Sequence, residues 1–250
     1  MSYVIAVAGK GGTGKTTIAA LIIRTLKENN SGSVLAVDAD PNNNLGESLG
    51  VKIDETVGMA IDDIATHPEK IPAGLPKERF IEYRVQTLIK ECEGFDLLTM
   101  GRPEGPGCYC YANNLLRDIV ARLIREYDYI VIDNEAGLEH FSRRTTRQAD
   151  ALIVVSDDTK VGLKSAARIR DLVEELKLKI KNKFLLINRA KEIADDEDFK
   201  HLNLEYIGLI PEDENITQIG IKGGTLFDLG KNSNSLKILG KIGEKVWKKN

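Results

Sequence analysis

The stretch that most constrains this chain is Gly9-Lys10-Gly11-Gly12-Thr13-Gly14-Lys15-Thr16-Thr17. An apolar run, Tyr3 to Ala8, leads into it and a helical pattern, Ile18 to Leu26, leads out. That is the strand, loop and helix setting that G-x-x-x-x-G-K-[ST] needs. Glycine lets the backbone curl until successive N–H groups point inward, and the new helix adds the positive end of its dipole. Such a loop cradles phosphate. On this reading Gly11, Gly12, Thr13 and Gly14 form the cradle and Lys15 reaches the β- and γ-phosphates. Thr16 places its hydroxyl on Mg²⁺, and Thr17 bonds the α-phosphate. The expected fold is α/β, a doubly wound, mostly parallel sheet flanked by helices, of the P-loop NTPase kind.

Size and charge narrow the setting. A chain of 250 residues suits one large α/β unit and is short for two, so residues 1–250 are expected to form a single domain. A net charge of −3 argues against nucleic acid as the main partner. No apolar run approaches the ~18 residues of a membrane span. The amino terminus enters strand and loop directly, leaving no room for a signal peptide. A cytoplasmic protein acting away from membrane and nucleic acid is therefore expected. Two of the three cysteines lie one residue apart, which reads as thiols or metal ligands rather than a disulfide framework.

Further along, Val34 to Val37 reads as a buried strand and ends in Asp38-Ala39-Asp40-Pro41. Acids at the carboxyl end of such a strand sit where open α/β sheets bind ligands, although acids also cap helices and form turns. Tyr129 to Asp133 has the Walker B form, with Asp133 expected to hold Mg²⁺ through water. Residues 45 to 74, broken by glycine and proline, predict a surface insertion. A helix is expected from about Lys77 to Cys92, then a strand from Phe95 to Thr99. Gly101 to Tyr111 holds too many glycines and prolines for regular structure. Helices are expected over Leu115–Glu126 and Val161–Leu176, with a strand over Ala151–Val155 and another from Phe184, Asn188 falling just past its end. The last segment, from Leu236, places Ile238, Leu239, Ile242, Val246 and Trp247 opposite a row of lysines. It reads as a docked terminal helix with a solvated lysine face, or as a helix lying on anionic membrane.

Cys108 and Cys110 offer two thiolates where a metal wants about four ligands. One chain cannot close that site. Two copies facing each other could bring four thiolates together on a twofold axis. Tetrahedral sulfur suits Zn²⁺, a square-planar arrangement suits Ni²⁺, and Cu⁺ or an iron–sulfur cluster also favours soft ligands. Side chains at i and i+2 of an extended segment point apart, so chelation requires a turn; without one the pair are inert thiols.

These motifs together carry a resemblance. K-G-G-x-G-K-T-T, with its extra Lys10, resembles the deviant Walker A motif of the nitrogenase iron protein, Soj/ParA and MinD class. Added to it are Asp-x-Asp-Pro, a Gly-Cys-Tyr-Cys loop followed by Asn113-Asn114, and Glu135-Ala136-Gly137-Leu138-Glu139-His140. The set resembles the CooC family, ATPases that help insert nickel into carbon monoxide dehydrogenase, along most of the chain. The resemblance implies a homodimer in which Lys10 crosses to the partner's nucleotide, and a nickel or zinc ion shared by the two C-x-C pairs. It also implies Asp40 as the switch I residue that positions the attacking water, and Asp38 in the Mg²⁺ shell. Asn188, with neighbouring Arg189, and backbone beside Pro211 would meet the adenine of ATP. The implied client is carbon monoxide dehydrogenase or a related nickel enzyme. Residues Gly137 to His140 would form switch II, with Glu135 and His140 unassigned. Related proteins often carry a proline in the turn at Ser156-Asp157-Asp158-Thr159, and this chain does not. Two other readings stay open: a ParA- or MinD-like positioning ATPase acting on DNA or membrane, and an electron donor with an iron–sulfur cluster.

Overall fold

A computed structural model describes residues 2–101, 110–136, 148–190 and 196–247. An eight-stranded sheet, β1 (Tyr3–Gly9), β2 (Val34–Asp38), β3 (Lys90–Cys92), β4 (Phe95–Thr99), β5 (Tyr129–Asp133), β6 (Gln148–Ser156), β7 (Lys179–Ala190) and β8 (Glu205–Pro211), runs through it. The spatial order is β3-β4-β2-β5-β1-β6-β7-β8, and every pairing is parallel except that of β3 with β4. The expected mostly parallel α/β sheet is thus present. β1 lies between β5 and β6, and the chain departs to one side for β2 and later to the other for β6. That reversal is where a doubly wound sheet opens a crevice at its carboxyl edge.

Both faces are covered. On one, α1 (Lys15–Glu28) buries every residue from Ile18 to Leu26 against Ile5, Val7, Ala36 and Val131. On the other, α3 (Val57–Thr66), α4 (Lys77–Thr87), α5 (Cys110–Leu123) and α6 (Lys160–Glu175) cover Val4, Ala6, Val37 and Ile132. Strands with apolar residues on both faces are what this sandwich demands. The shorter α2 (Asn44–Ser48) and α7 (Glu214–Ile221) follow the ends of β2 and β8. The terminal helix, α8 (Asn234–Val246), buries Leu236, Leu239, Ile242 and Val246 beside α1. The Tyr3 hydroxyl donates to the Val246 carbonyl and that of Tyr129 to the Trp247 carbonyl, fastening its end. Its apolar stripe is therefore core, as the docked reading expects. Among the described residues no helix is long and apolar enough to cross a membrane.

Three local expectations change. The helix foreseen to Cys92 stops at Thr87, and Lys90–Cys92 returns as an edge strand against β4. The turn between them works because Gly94 adopts a φ of +83°, and exposed Lys90 and Glu91 give a charged edge that resists pairing with another chain. Residues 45 to 74 hold no strand, as expected. They are nevertheless not merely a surface insertion: Leu45, Val57, Ala60, Ile61 and Ile64 are buried. Thr56 caps α3, accepting from the Met59 N–H, and aims that apolar face inward. Finally, α5 begins at Cys110, inside the stretch expected to be irregular, and residues 102–109 lie outside the described chain.

Candidate functional site

The phosphate loop connects β1 to α1 at the carboxyl edge of the sheet. A Cβ on Gly9 would lie 2.3 Å from the Val155 carbonyl oxygen, so only glycine lets β1 end beneath β6. Gly12 and Gly14 sit at φ +82° and +89°, the left-handed turns that roll the backbone N–H groups inward. Lys15 is 7% exposed, and its ammonium donates to the Lys10 carbonyl at 3.3 Å. The Thr13 hydroxyl donates to the same oxygen at 2.9 Å. The loop thus holds its lysine on its own backbone. The Lys10 side chain is exposed at the outer rim.

Three polar residues close three adjacent strands. Asp38 pairs in register with Thr99 on one side and Asp133 on the other, which sets all three side chains on the α1 face. Asp38 and Asp133 are fully buried. The Asp38 carboxylate accepts from the Leu45 N–H at 3.0 Å and from the Asp40 N–H at 3.1 Å, tying down the loop after β2. Burial still pushes its pKa up to about 6, against those N–H donors. Burial likewise lifts Asp133 to about 7; Thr16 and Lys15 oppose the rise and the charge of Asp38 adds to it.

Mg²⁺ fits this arrangement. Both carboxylate oxygens of Asp133, the Thr99 hydroxyl and the Asn134 side-chain oxygen are buried without a well-formed hydrogen bond. Buried oxygens so sparsely bonded are costly unless a ligand brings partners to them. A hydrated cation does so with its bound waters, and Mg²⁺ characteristically keeps several of them.

The other expected site residues fall nearby in varying degree. Asp40 is half-buried, and its carboxylate accepts from both the backbone and the side-chain nitrogen of Asn42 at 2.9 Å. There it stabilises a turn. Asn188 lies within β7 rather than just past a strand, is 6% exposed, and donates to the Thr13 carbonyl at 2.8 Å. Arg189 takes a left-handed φ of +59° and donates to the Gly12 carbonyl at 3.3 Å. Pro211 ends β8, pairs with Ala190, and lines a cavity of about 600 Å³. Cys108 and the segment Gly137 to His140 lie outside the described residues, and Cys110 is known only as the first residue of α5. Met100 N–H donates to the Asp38 carbonyl at 2.8 Å, which ties the end of β4 to the carboxyl edge. Among the described residues no group of three or more His, Cys, Asp or Glu gathers to hold a metal.

Sequence reasoning missed Thr99 and left Asn134 without a role. Asn134 joins β5 to the strand that feeds the phosphate loop, because its backbone and side-chain nitrogens both donate to the Val7 carbonyl, at 3.1 and 2.9 Å. The available signal for Thr99 was its place: a polar residue ending an apolar strand, as Asp38 and Asp133 do.

The buried acids predict a pH dependence. A carboxylate whose pKa is raised on folding binds more protons in the native state than unfolded, so its contribution to stability falls as pH rises. For Asp38 and Asp133 that window runs from about 4 to about 7. In EDTA, Asp133→Asn should gain melting temperature over the parent as pH increases from 5 to 8, by on the order of a few kcal/mol in stability. Calorimetric melts across that range test it; parallel curves for the two proteins would refute it.

The family profile of the CobQ/CobB/MinD/ParA nucleotide binding domain matches residues 4–227. An uncharacterized ATP-binding protein of Methanocaldococcus jannaschii is 42% identical, over 97% of this chain and 98% of its own. The carbon monoxide dehydrogenase accessory protein CooC of Rhodospirillum rubrum is 31% identical, over 90% of this chain and 89% of its own. Among solved structures, the septum site-determining protein MinD of Pyrococcus horikoshii, complexed with Mg-ADP, superposes with a TM-score of 0.72 at 22% identity, covering 99% and 97% of the two chains.

Proposed function

This chain is an ATPase of the CobQ/CobB/MinD/ParA nucleotide-binding family, and on that premise we propose that it is a dimeric, ATP-dependent carrier of nickel for carbon monoxide dehydrogenase or a related nickel enzyme. The observation that carries the proposal is the 31% identity to CooC over nine-tenths of the chain, together with the Cys108-x-Cys110 pair.

Each step falls to named groups. Gly11 to Thr17 bind the phosphates, with Lys15 leaving the Lys10 carbonyl for the β- and γ-phosphates. Thr16, Asp133 and Asp38 would hold Mg²⁺, whose chemistry is to neutralise charge on the phosphate oxygens. Asp40 would exchange Asn42 for the attacking water, and Lys10 would reach the partner's nucleotide. Asn188, Arg189 and Pro211 would meet adenine. Closure of two subunits on ATP would assemble four thiolates around Ni²⁺ or Zn²⁺, the cargo, and hydrolysis would release it.

The docked apolar face of α8 weakens the membrane-positioning alternative, since its stripe of Leu236, Leu239 and Ile242 is already core. Anaerobic titration with Ni²⁺ and with Zn²⁺, with and without ATP, tests the proposal when combined with particle mass. One ion per dimer, tighter with ATP, is the expected outcome. Tight capture by a monomer, or indifference of the dimer to both ions, would sink it.

A further inference from the structure

Asp213 ends the turn after β8, two residues beyond Pro211, and makes more hydrogen bonds than a helix cap needs. One carboxylate oxygen accepts from the backbone and side-chain nitrogens of Asn215, both at 3.1 Å, which caps α7. The other accepts from the hydroxyls of Ser233 and Ser235, each at 2.9 Å. Ser233 is the cap of α8 and Ser235 lies fully buried in its first turn. A single carboxylate therefore bridges the amino ends of two helices, where both dipoles favour negative charge. The helix it holds on the far side, α8, is packed against α1, the helix that issues from the phosphate loop. Pro211, Glu212 and Asp213 form one wall of the 600 Å³ cavity, and Asn232, Ser233 and Asn234 form another.

We propose that Asp213 is a positioning residue for nucleotide-base recognition: it locks the Pro211–Asp213 turn to α8, and through α8 to α1, so that the backbone meeting the base stands at a set distance from the phosphate loop. The inference rests on the reading of Pro211 as a neighbour of the base. Its logic is entropic. A turn free to shift must be ordered each time the base binds, whereas one already held by four hydrogen bonds is not. The phosphates are bound by other elements, so loosening the turn should spare them.

The test compares Asp213→Ala with Asp213→Asn for affinity toward ATP, GTP and inorganic tripolyphosphate, and for KM and kcat with ATP. Asparagine can still cap α7 with its oxygen and donate to the serine hydroxyls with its nitrogen. The alanine variant should bind ATP about tenfold more weakly, with KM rising far more than kcat changes, tripolyphosphate affinity unaltered and the preference for ATP over GTP narrowed. The asparagine variant should recover most of the loss. An unchanged ratio of ATP to GTP affinity in Asp213→Ala, or a parallel loss of tripolyphosphate, would overturn the positioning role. Equal affinity of the parent protein for ATP and GTP would instead overturn the base reading beneath it. Should the alanine variant not fold, the Ser233→Ala/Ser235→Ala double variant carries the same expectations and the same refutations.

Discussion

Replacing Cys108 and Cys110 together by serine is expected to lower nickel and zinc affinity by two orders of magnitude or more, while ATP affinity stays within about twofold. The asymmetry follows from where the groups lie. On the proposed reading phosphate is held by backbone N–H groups of Gly11 to Thr16 and by Lys15, whereas the metal falls to Cys108 and Cys110. Metal, in contrast, is expected to find two sulfurs per chain and to need the second copy for the rest. Serine is close in size to cysteine but its oxygen is a hard, weakly acidic donor, so the change removes softness rather than shape. Anaerobic titration followed by the thiolate-to-nickel absorption measures the loss directly. Retention of tight nickel binding by the doubly substituted protein would place the cargo elsewhere on the chain.

The second large effect concerns Lys10. Its alanine variant should hydrolyse ATP about a thousandfold more slowly or worse, in the range seen when a charge supplied from a neighbouring subunit is withdrawn from a phosphoryl transfer site. ATP binding by the single chain should barely move. The structure makes this a clean substitution, because what the loop takes from residue 10 is its carbonyl. That oxygen receives the Thr13 hydroxyl and the Lys15 ammonium, and alanine keeps it. The side chain itself projects from the rim and makes no hydrogen bond or ion pair among the described residues. Steady-state turnover against protein concentration, alongside nucleotide affinity, checks both halves. Turnover equal to that of the parent would rule out the cross-subunit role.

Much of the fold was legible because its signals are local. Four of the parallel strands read as continuous apolar runs, Tyr3 to Ala8, Val34 to Val37, Tyr129 to Ile132 and Ala151 to Val155, and each falls within an observed strand. Helix α1 could be placed from the loop before it and from its own apolar density. The failures occurred where pairing or burial against another element decided the outcome. Lys90 to Cys92 continues a helical pattern on paper and becomes strand because β4 offers an open edge only five residues later. The apolar residues of α3 looked like decoration on a surface insertion until the sheet arrived beneath them.

The site divides along the same line. From its residues alone the chain declared a phosphate loop, since nine contiguous positions carry all the backbone freedom, charge and hydroxyls that the loop uses. Asp38 and Asp133 were nameable too, each as the acid that ends a strand. Their alignment with Thr99, and the buried polar pocket the three create, belongs to the tertiary structure alone. β2, β4 and β5 are brought side by side by crossovers spanning tens of residues, and register between strands so distant is set by packing on both faces of the sheet. The carboxylate of Asp213, joining two helix ends across 20 residues of chain, is hidden from sequence for the same reason: a hydrogen bond between remote segments exists only after the core has chosen how they meet.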